Sequence, residues 1–129
     1  MLPFSYQVKS IVAHSAGAIA GVRSGIFAAD LTPFEGSLAD LAAMVTSARD
    51  MLAALDPVEI EGFQGRPVRF VIRAWHCDYV AEDFLLSFSK PNFYFHVSTA
   101  YCLLRANGVK IGKPDYLGPM ALQKTSQSA

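Results

Sequence analysis

The chain has 129 residues, the length of a single domain with one hydrophobic core. Its eleven basic and eleven acidic side chains balance, so no long-range electric field gathers nucleic acid or anionic lipid. Although 52% of the residues are hydrophobic, no uninterrupted apolar run approaches the roughly 20 residues that span a bilayer. We therefore expect neither nucleic acid nor a membrane as a partner. The opening stretch, MLPFSYQVKS, lacks the pattern of a secretory signal, which predicts a cytoplasmic protein.

The first predicted element is an amphipathic helix over about residues 2 to 22. Apolar residues recur at helical spacing from Phe4 to Val22, and Pro3 is tolerated in the first helical turn. The stretch that follows, RSGIFAADLTPFEG, has two glycines, one proline and too little periodicity for regular structure. It is predicted to be a loop anchored by its aromatic residues.

A second helix is predicted from Ser37 to about residue 55. Asp40 stands three residues after Ser37, as in a capping box, and apolar residues then alternate spacings of three and four. Asp56 and Pro57 are expected to end this helix. From Gly65 the stretch RPVRFVIRAWHCDYV is rich in β-branched and aromatic residues, which predicts a small β-hairpin.

The last helical region begins with AEDFLLSFSK, which returns to helical spacing. Pro91 either kinks this helix or begins a new one that ends near Asn107, with Gly108 as a left-handed cap. Residues 91 to 107 are expected to form one continuous helix. The predicted fold is mainly α, with three helices and a short β-hairpin before the last helical region. One domain covers residues 1–118, and a polar C-terminal tail covers residues 119–129.

The stretch KPNFYFHVSTAYCLLRANGVKIGKPDYLG, residues 90–118, resembles the C-terminal signature of a bacterial family of DinB-like four-helix proteins, a domain of unknown function. The stretch MLPFSYQV, with its pair Gln7 and Val8, is similar to the start of that family's second helix, and SLADLAAMVTSARDMLAAL falls where the third belongs. This resemblance covers nearly the whole chain and implies a DinB-like up-down helical bundle. It also implies that the first helix of the family is absent from this chain.

The resemblance also concerns the histidines. DinB-like proteins commonly bind a divalent metal through three histidines, one on the second helix and two spaced four apart on the last helix. The matching positions here are His14, which matches only approximately, Asn92 and His96. An amide such as that of Asn92 is a poor ligand for zinc or nickel. We therefore expect no bound metal and no other cofactor.

Three interpretations of His96 remain open at this stage. In the favoured one, His96 is mostly buried and belongs to a hydrogen-bond network with Asn92 or Thr99, because buried polar groups need partners. In the second, His14, Asn92, His96 and Thr99 line a cleft for a small organic ligand. In the third, His14 and His96 hold a catalytic metal, as in the metal- and thiol-dependent transferases of the wider DinB-like group. The favoured function is a non-catalytic association or small-ligand-binding module.

Other candidate residues have structural interpretations. His76, Cys77 and Asp78 are adjacent, and neighbours on a strand face opposite sides and cannot share a proton, which argues against a nucleophilic site. They are predicted to lie in a hairpin turn. Cys102 is predicted to be a small core residue, and both cysteines are expected to be reduced. Four aromatic residues of the last helix are expected to be buried among other elements: Phe93, Tyr94, Phe95 and Tyr101.

The implied absence of one helix leads to an expectation about partners. In a four-helix bundle each helix covers the apolar stripes of its neighbours, so three helices leave an exposed groove. Residues expected to line it include Phe4, Ile11, Ile19 and Leu41. A second copy of the chain is the most economical cover, which predicts a homodimer. Covering of the groove by the loop RSGIFAADLTPFEG or by the tail is the alternative.

Overall fold

The long helix α1 opens the fold. In the computed structural model, which describes residues 1–121, α1 runs without a break through Phe4–Val12, a π-helical turn at Ala13–Gly17 and Ala18–Ser24. Gly25 ends it with a φ of 79°, which glycine adopts without steric cost. The predicted helix is therefore confirmed, two residues longer at its C-terminal end. Most of the predicted tail over 119–129 lies outside the described residues.

Helix α2 covers Leu38–Ala53 and begins as predicted. The Ser37 hydroxyl accepts a hydrogen bond from the Asp40 backbone N–H at 3.2 Å, and the Asp40 carboxylate accepts one from the Ser37 N–H at 2.7 Å. The expectation that Asp56 and Pro57 only end this helix is incomplete. Asp56 caps a further short helix, α3 at Pro57–Glu61, because its carboxylate accepts the Val58 N–H.

A three-stranded sheet stands where only a hairpin was predicted. Strands β2 at Pro67–Ile72 and β3 at Trp75–Val80 form that antiparallel hairpin. Strand β1 at Ile26–Ala28 pairs in parallel with β2, with Phe27 opposite Phe70. The loop prediction for this segment was wrong because three residues are too few to show a strand's alternation.

The hairpin turn lies elsewhere than the sequence suggested. His76, Cys77 and Asp78 lie within β3 and not in the turn, which is formed by Arg73 and Ala74. Arg73 adopts a φ of 54°. Tight hairpin turns favour glycine or asparagine at such positive φ values, so this turn carries no sequence signal. Asp78 instead forms a bidentate ion pair with Arg69 on β2, with N–O distances of 2.7 and 2.9 Å.

Helix α4 is continuous through Ala81–Asp83, a π-helical turn at Phe84–Ser89 and Lys90–Ala106. Of the two alternatives predicted for Pro91, a new helix is excluded, because residues on both sides of it belong to this helix. In a regular α-helix the ring of Pro91 would clash with the carbonyl of residue 87, four positions earlier. Residue 87 lies in the π-helical turn, where the wider backbone avoids this clash. Gly108, with a φ of 84°, caps the helix as predicted. A short helix α5 follows at Lys113–Leu117.

The core lies between the C-terminal half of α1, the sheet and the start of α4. Phe84 is completely buried at its centre, with its ring centroid 5.2 Å from that of Phe27. Ahead of the core, α1 packs against both α2 and α4. No helix within the described residues is long and apolar enough to cross a membrane.

Three expectations about burial were wrong. Ile19 and Leu41 do not line an exposed groove, because α1 packs against the core and α2 so that only 9% and 4% of these residues remain exposed. Tyr94 and Phe95 are about half exposed, at 50% and 54%, since α4 buries only part of its circumference. Cys102 is likewise exposed.

Candidate functional site

A cleft of about 380 Å³ opens between α1, α4 and the sheet. Its walls are mostly aromatic and aliphatic, and a few polar groups interrupt them. The apolar lining comes from Val12, Ala13, Phe27, Ala29, Met44, Phe70, Ile72 and Phe88. The polar lining comes from Tyr6, Lys9, Ser10, His14, Asp30, Asn92 and His96.

The two histidines meet in this cleft. The imidazole rings of His14 and His96 are nearly parallel, at 9°, with centroids 5.9 Å apart. His14 stands in the π-helical turn of α1, a local widening that often occurs at functional sites. Its ring also contacts those of Phe27 and Phe88, at 5.3 and 5.6 Å. The pairing of the first and last long helices therefore brings together two side chains that lie 82 positions apart in the sequence.

Gln7 orients the ring of His96. Its side-chain amide, 1% exposed, donates from Nε2 to the carbonyl of Leu2 at 2.9 Å. A carbonyl can only accept, so Oε1 points the other way and accepts from Nδ1 of His96 at 2.7 Å. In neutral His96 the proton is therefore on Nδ1, and Nε2 carries a lone pair.

Ser89 orients the ring of His14 in the same way, through a longer contact to Nδ1. The buried Ser89 hydroxyl donates its single hydrogen to the backbone carbonyl of His14 at 3.0 Å. Its oxygen lies 3.4 Å from Nδ1 of His14 and can only accept from it. Neutral His14 therefore also has its proton on Nδ1. Neither Nε2 atom bonds to a described residue. Because no buried polar side-chain atom among those residues lacks a partner, both Nε2 atoms are accessible to solvent, and both histidines line the cleft.

Asn92 and Thr99 do not bond to His96, so the predicted partners were wrong. Asn92 donates from Nδ2 to the carbonyl of Phe88 at 2.8 Å, and Thr99 donates to the carbonyl of Phe95 at 2.8 Å. Each bond joins a residue to the one four positions before it on the same helix. Asn92 still lines the cleft, and its Oδ1 has no partner within residues 1–121, whereas Thr99 lines a separate surface groove. His96 is mostly but not completely buried, as predicted, and part of its ring reaches solvent.

Sequence reasoning missed the part that Gln7 plays. The available signal was a large polar residue on the apolar side of an amphipathic helix, which needs a buried partner. Its partner on the last helix is 89 residues away, and only the packing of α1 against α4 identifies it.

Both imidazoles are uncharged at neutral pH. Burial, followed by the neighbouring His96, lowers the pKa of His14 to about 4, and burial also lowers the pKa of His96. Neither ring has a carboxylate partner that would stabilise its protonated form. The pair therefore provides two neutral hydrogen-bond acceptors and not a positively charged site.

The rim of the cleft carries one ion pair. Nζ of Lys9 lies 2.8 Å from a carboxylate oxygen of Asp30 and donates to the backbone and hydroxyl oxygens of Thr32, at 2.7 and 3.2 Å. These three contacts occupy all three N–H groups of the ammonium. The Lys9 ammonium and the Thr32 hydroxyl and N–H together hold the pKa of Asp30 far below its usual range.

The donor set does not fit the three-histidine metal site that DinB-like proteins commonly have. Two imidazoles and the Asn92 amide face the cleft, and an amide is a weak third ligand for zinc or nickel. Across residues 1–121 no group of three histidine, cysteine, aspartate or glutamate side chains lies close enough to hold an ion. Asp30, the carboxylate of the rim, is already paired with Lys9.

Comparison with known proteins identifies the family. The family described as "Domain of unknown function (DUF1993)" matches residues 1–117. Among solved structures, the chain is similar to a DinB family member protein from Shewanella denitrificans, with 24% sequence identity and a TM-score of 0.74. The match covers 97% of this chain and 70% of that one, and confirms the predicted DinB-like helical fold. No curated protein matches the chain.

The contact between His96 and Gln7 generates a stability prediction. His96→Ala leaves the buried Oε1 of Gln7 without its donor and is expected to lower the free energy of unfolding by about 1–3 kcal/mol. Chemical denaturation measures this change. His76→Ala is the matched control, because His76 is exposed on β3 and its loss is expected to cost less than about 0.5 kcal/mol. Equal stability of the His96→Ala variant and the parent protein would contradict the assigned contact.

Proposed function

The chain belongs to the DUF1993 family and has a DinB-like helical fold, and from these premises we propose that it is a non-catalytic module that binds a small organic molecule between His14 and His96. One observation carries the proposal: two buried contacts, from Gln7 and Ser89, hold the imidazoles with their free nitrogens toward an apolar cleft. A volume of about 380 Å³ falls within the range of small-molecule sites.

The free cysteines suit a reducing compartment, and we propose that the protein is located in the cytoplasm.

The chemistry of the lining favours binding over catalysis. A nucleophile needs an adjacent base that takes its proton, and no cysteine of residues 1–121 lines the cleft. The Ser89 hydroxyl donates to a backbone carbonyl and not to an imidazole nitrogen. An imidazole with a pKa of about 4, such as that of His14, is also a weak general base at neutral pH.

The proposal predicts that single-ring aromatic molecules enter the cleft. Phenol, benzoate and benzylamine cover the neutral, anionic and cationic cases, and at least one is expected to shift the amide NMR signals of cleft residues such as Ala13 and Ala29. The variant Ala13→Phe fills the cleft and should abolish those shifts. Ala20→Phe is the matched control, because Ala20 is exposed on the same helix and does not line the cleft. No response to any of the three probes would contradict the proposal.

The alternative function is a metal- and thiol-dependent transferase-like enzyme that uses His14 and His96. The distance between the two imidazole rings favours it. Two imidazoles that bind one zinc ion, with bonds of about 2.0–2.1 Å, have ring centroids about 5–6 Å apart. The 5.9 Å separation of the two rings meets this condition. The donor set opposes it, since Asn92 stands where a third imidazole would complete the site.

Metal content separates the two functions. Protein purified without a histidine tag is expected to contain far less than one equivalent of zinc or nickel, because two imidazoles leave most of the coordination shell to water. Elemental analysis by mass spectrometry measures the ratio. A near-stoichiometric ratio that falls in the His14→Leu variant would support the alternative and contradict the absence of a metal.

We further propose that the chain forms a homodimer through the N-terminal end of α1 and the outer face of α4. Met1, Leu2, Tyr94 and Phe95 are between 50% and 89% exposed there. The adjoining groove is lined by Met1, Pro91, Tyr94, Phe95, Ser98, Thr99 and Cys102, with no charged side chain among them. Two copies of such a surface can meet across a two-fold axis without repulsion between like-charged side chains.

Light scattering tests the homodimer. At micromolar concentration the protein is expected to have twice the mass of one chain. Tyr94→Asp places a charge in the proposed interface and should give a monomer. Val58→Asp places the same charge on α3, where Val58 is 72% exposed and outside the groove, and should leave the dimer intact. A folded monomer of the parent protein would contradict the proposal.

A further inference from the structure

The two imidazoles fixed in the cleft offer a ligand hydrogen-bond acceptors and no donor. His14 and His96 each present Nε2, because Nδ1 of each ring donates to Ser89 or Gln7. Asn92 also lines the cleft, and its Nδ2 donates one of its two hydrogens to the carbonyl of Phe88. The hydrogen bonds of Gln7 and Ser89 to backbone carbonyls fix which atom each imidazole faces. Neither ring can reverse its role without losing a hydrogen bond.

The remaining polar side chains supply no fixed donor. The ammonium of Lys9 engages all three of its N–H groups with Asp30 and Thr32 at the rim. The carboxylate of Asp30 accepts from Lys9 at one oxygen and from the N–H and hydroxyl of Thr32 at the other. The hydroxyl groups of Tyr6 and Ser10 also line the cleft, and each can rotate to donate or to accept.

The electrostatic balance of the cleft disfavours an anion. Its one cation is paired with its one carboxylate, so no net charge faces the interior. A carboxylate ligand would bring a further group that can only accept, and would lose its hydration without gaining a cation as a partner. The lowered pKa of His14 acts in the same direction, because protonating that ring to attract an anion costs free energy in its buried setting.

We infer that the cleft selects an uncharged aromatic molecule whose polar group donates a hydrogen bond, as a phenol, an indole N–H or an aromatic alcohol does. The donor bonds to Nε2 of His14 or His96, and the ring lies against Phe27, Phe70 and Phe88. This inference deepens the proposed binding function and rests on it.

Three probes of similar size test the selection: phenol, anisole and benzoate. Anisole replaces the O–H of phenol with O–CH₃ and so removes the donor, whereas benzoate replaces the donor with a charged acceptor. Titrations followed by the amide NMR signals of cleft residues are expected to show phenol binding about threefold to tenfold more tightly than anisole. Benzoate is expected to bind more weakly than phenol by at least about tenfold.

A matched pair of variants assigns the effect to the imidazole. His14→Leu removes one acceptor. The only side-chain hydrogen bond it removes among the described residues is the long one to Ser89, and the apolar leucine can pack against Phe27 and Phe88, so the variant should remain folded. It is expected to reduce the preference for phenol over anisole, while His76→Leu, on exposed β3, leaves that preference unchanged. Benzoate binding as tightly as phenol, or anisole binding as tightly as phenol, would overturn the selection and leave the binding function standing. No shift from any of the three probes or from benzylamine would overturn the binding function itself.

Discussion

The hydrogen bond between Gln7 and His96 is the contact on which the site depends. It joins the first turns of α1 to the middle of α4 at 2.7 Å, and the buried amide satisfies its other end on the carbonyl of Leu2. Breaking this contact inside a low-dielectric interface leaves an unpaired polar group, which is costly, so the two helices are held in one register. That register places His96 beside His14 and fixes which nitrogen of His96 faces the cleft.

The rest of the fold supports this pair of helices. The sheet and the C-terminal half of α1 form the core with Phe84, and the same core carries Phe27 and Phe70 into the wall of the cleft. Both long helices contain a π-helical turn, and these turns hold His14 and its partner Ser89. A turn of this kind strains the local hydrogen-bond pattern, and the packed aromatic cluster around it offsets that cost. The site therefore stands next to the packed aromatic core.

The sequence predicts the helices well because their signals are local. The capping box of Ser37 and Asp40 and the left-handed cap at Gly108 act within one helical turn, and both are present. Strand β1 and the partner of His96 depend on residues about 40 and 89 positions away, and no local pattern encodes such contacts. The exposure of Tyr94 and Phe95 is likewise not encoded locally. Their aromatic character predicts burial, but only the packing of α4 shows that this face is open.

The protonation of the two imidazoles is the central claim, because it makes the cleft neutral and turns acceptor atoms toward a ligand. Long-range proton–nitrogen NMR of the histidine side chains tests it directly, with His14→Leu used to assign the signals. Near neutral pH both His14 and His96 are predicted to be neutral with the proton on Nδ1, and His14 is predicted to remain so well below the ordinary pKa of 6.5. A proton on Nε2 of either ring, or a charged imidazolium at neutral pH, would contradict the assignment of the site.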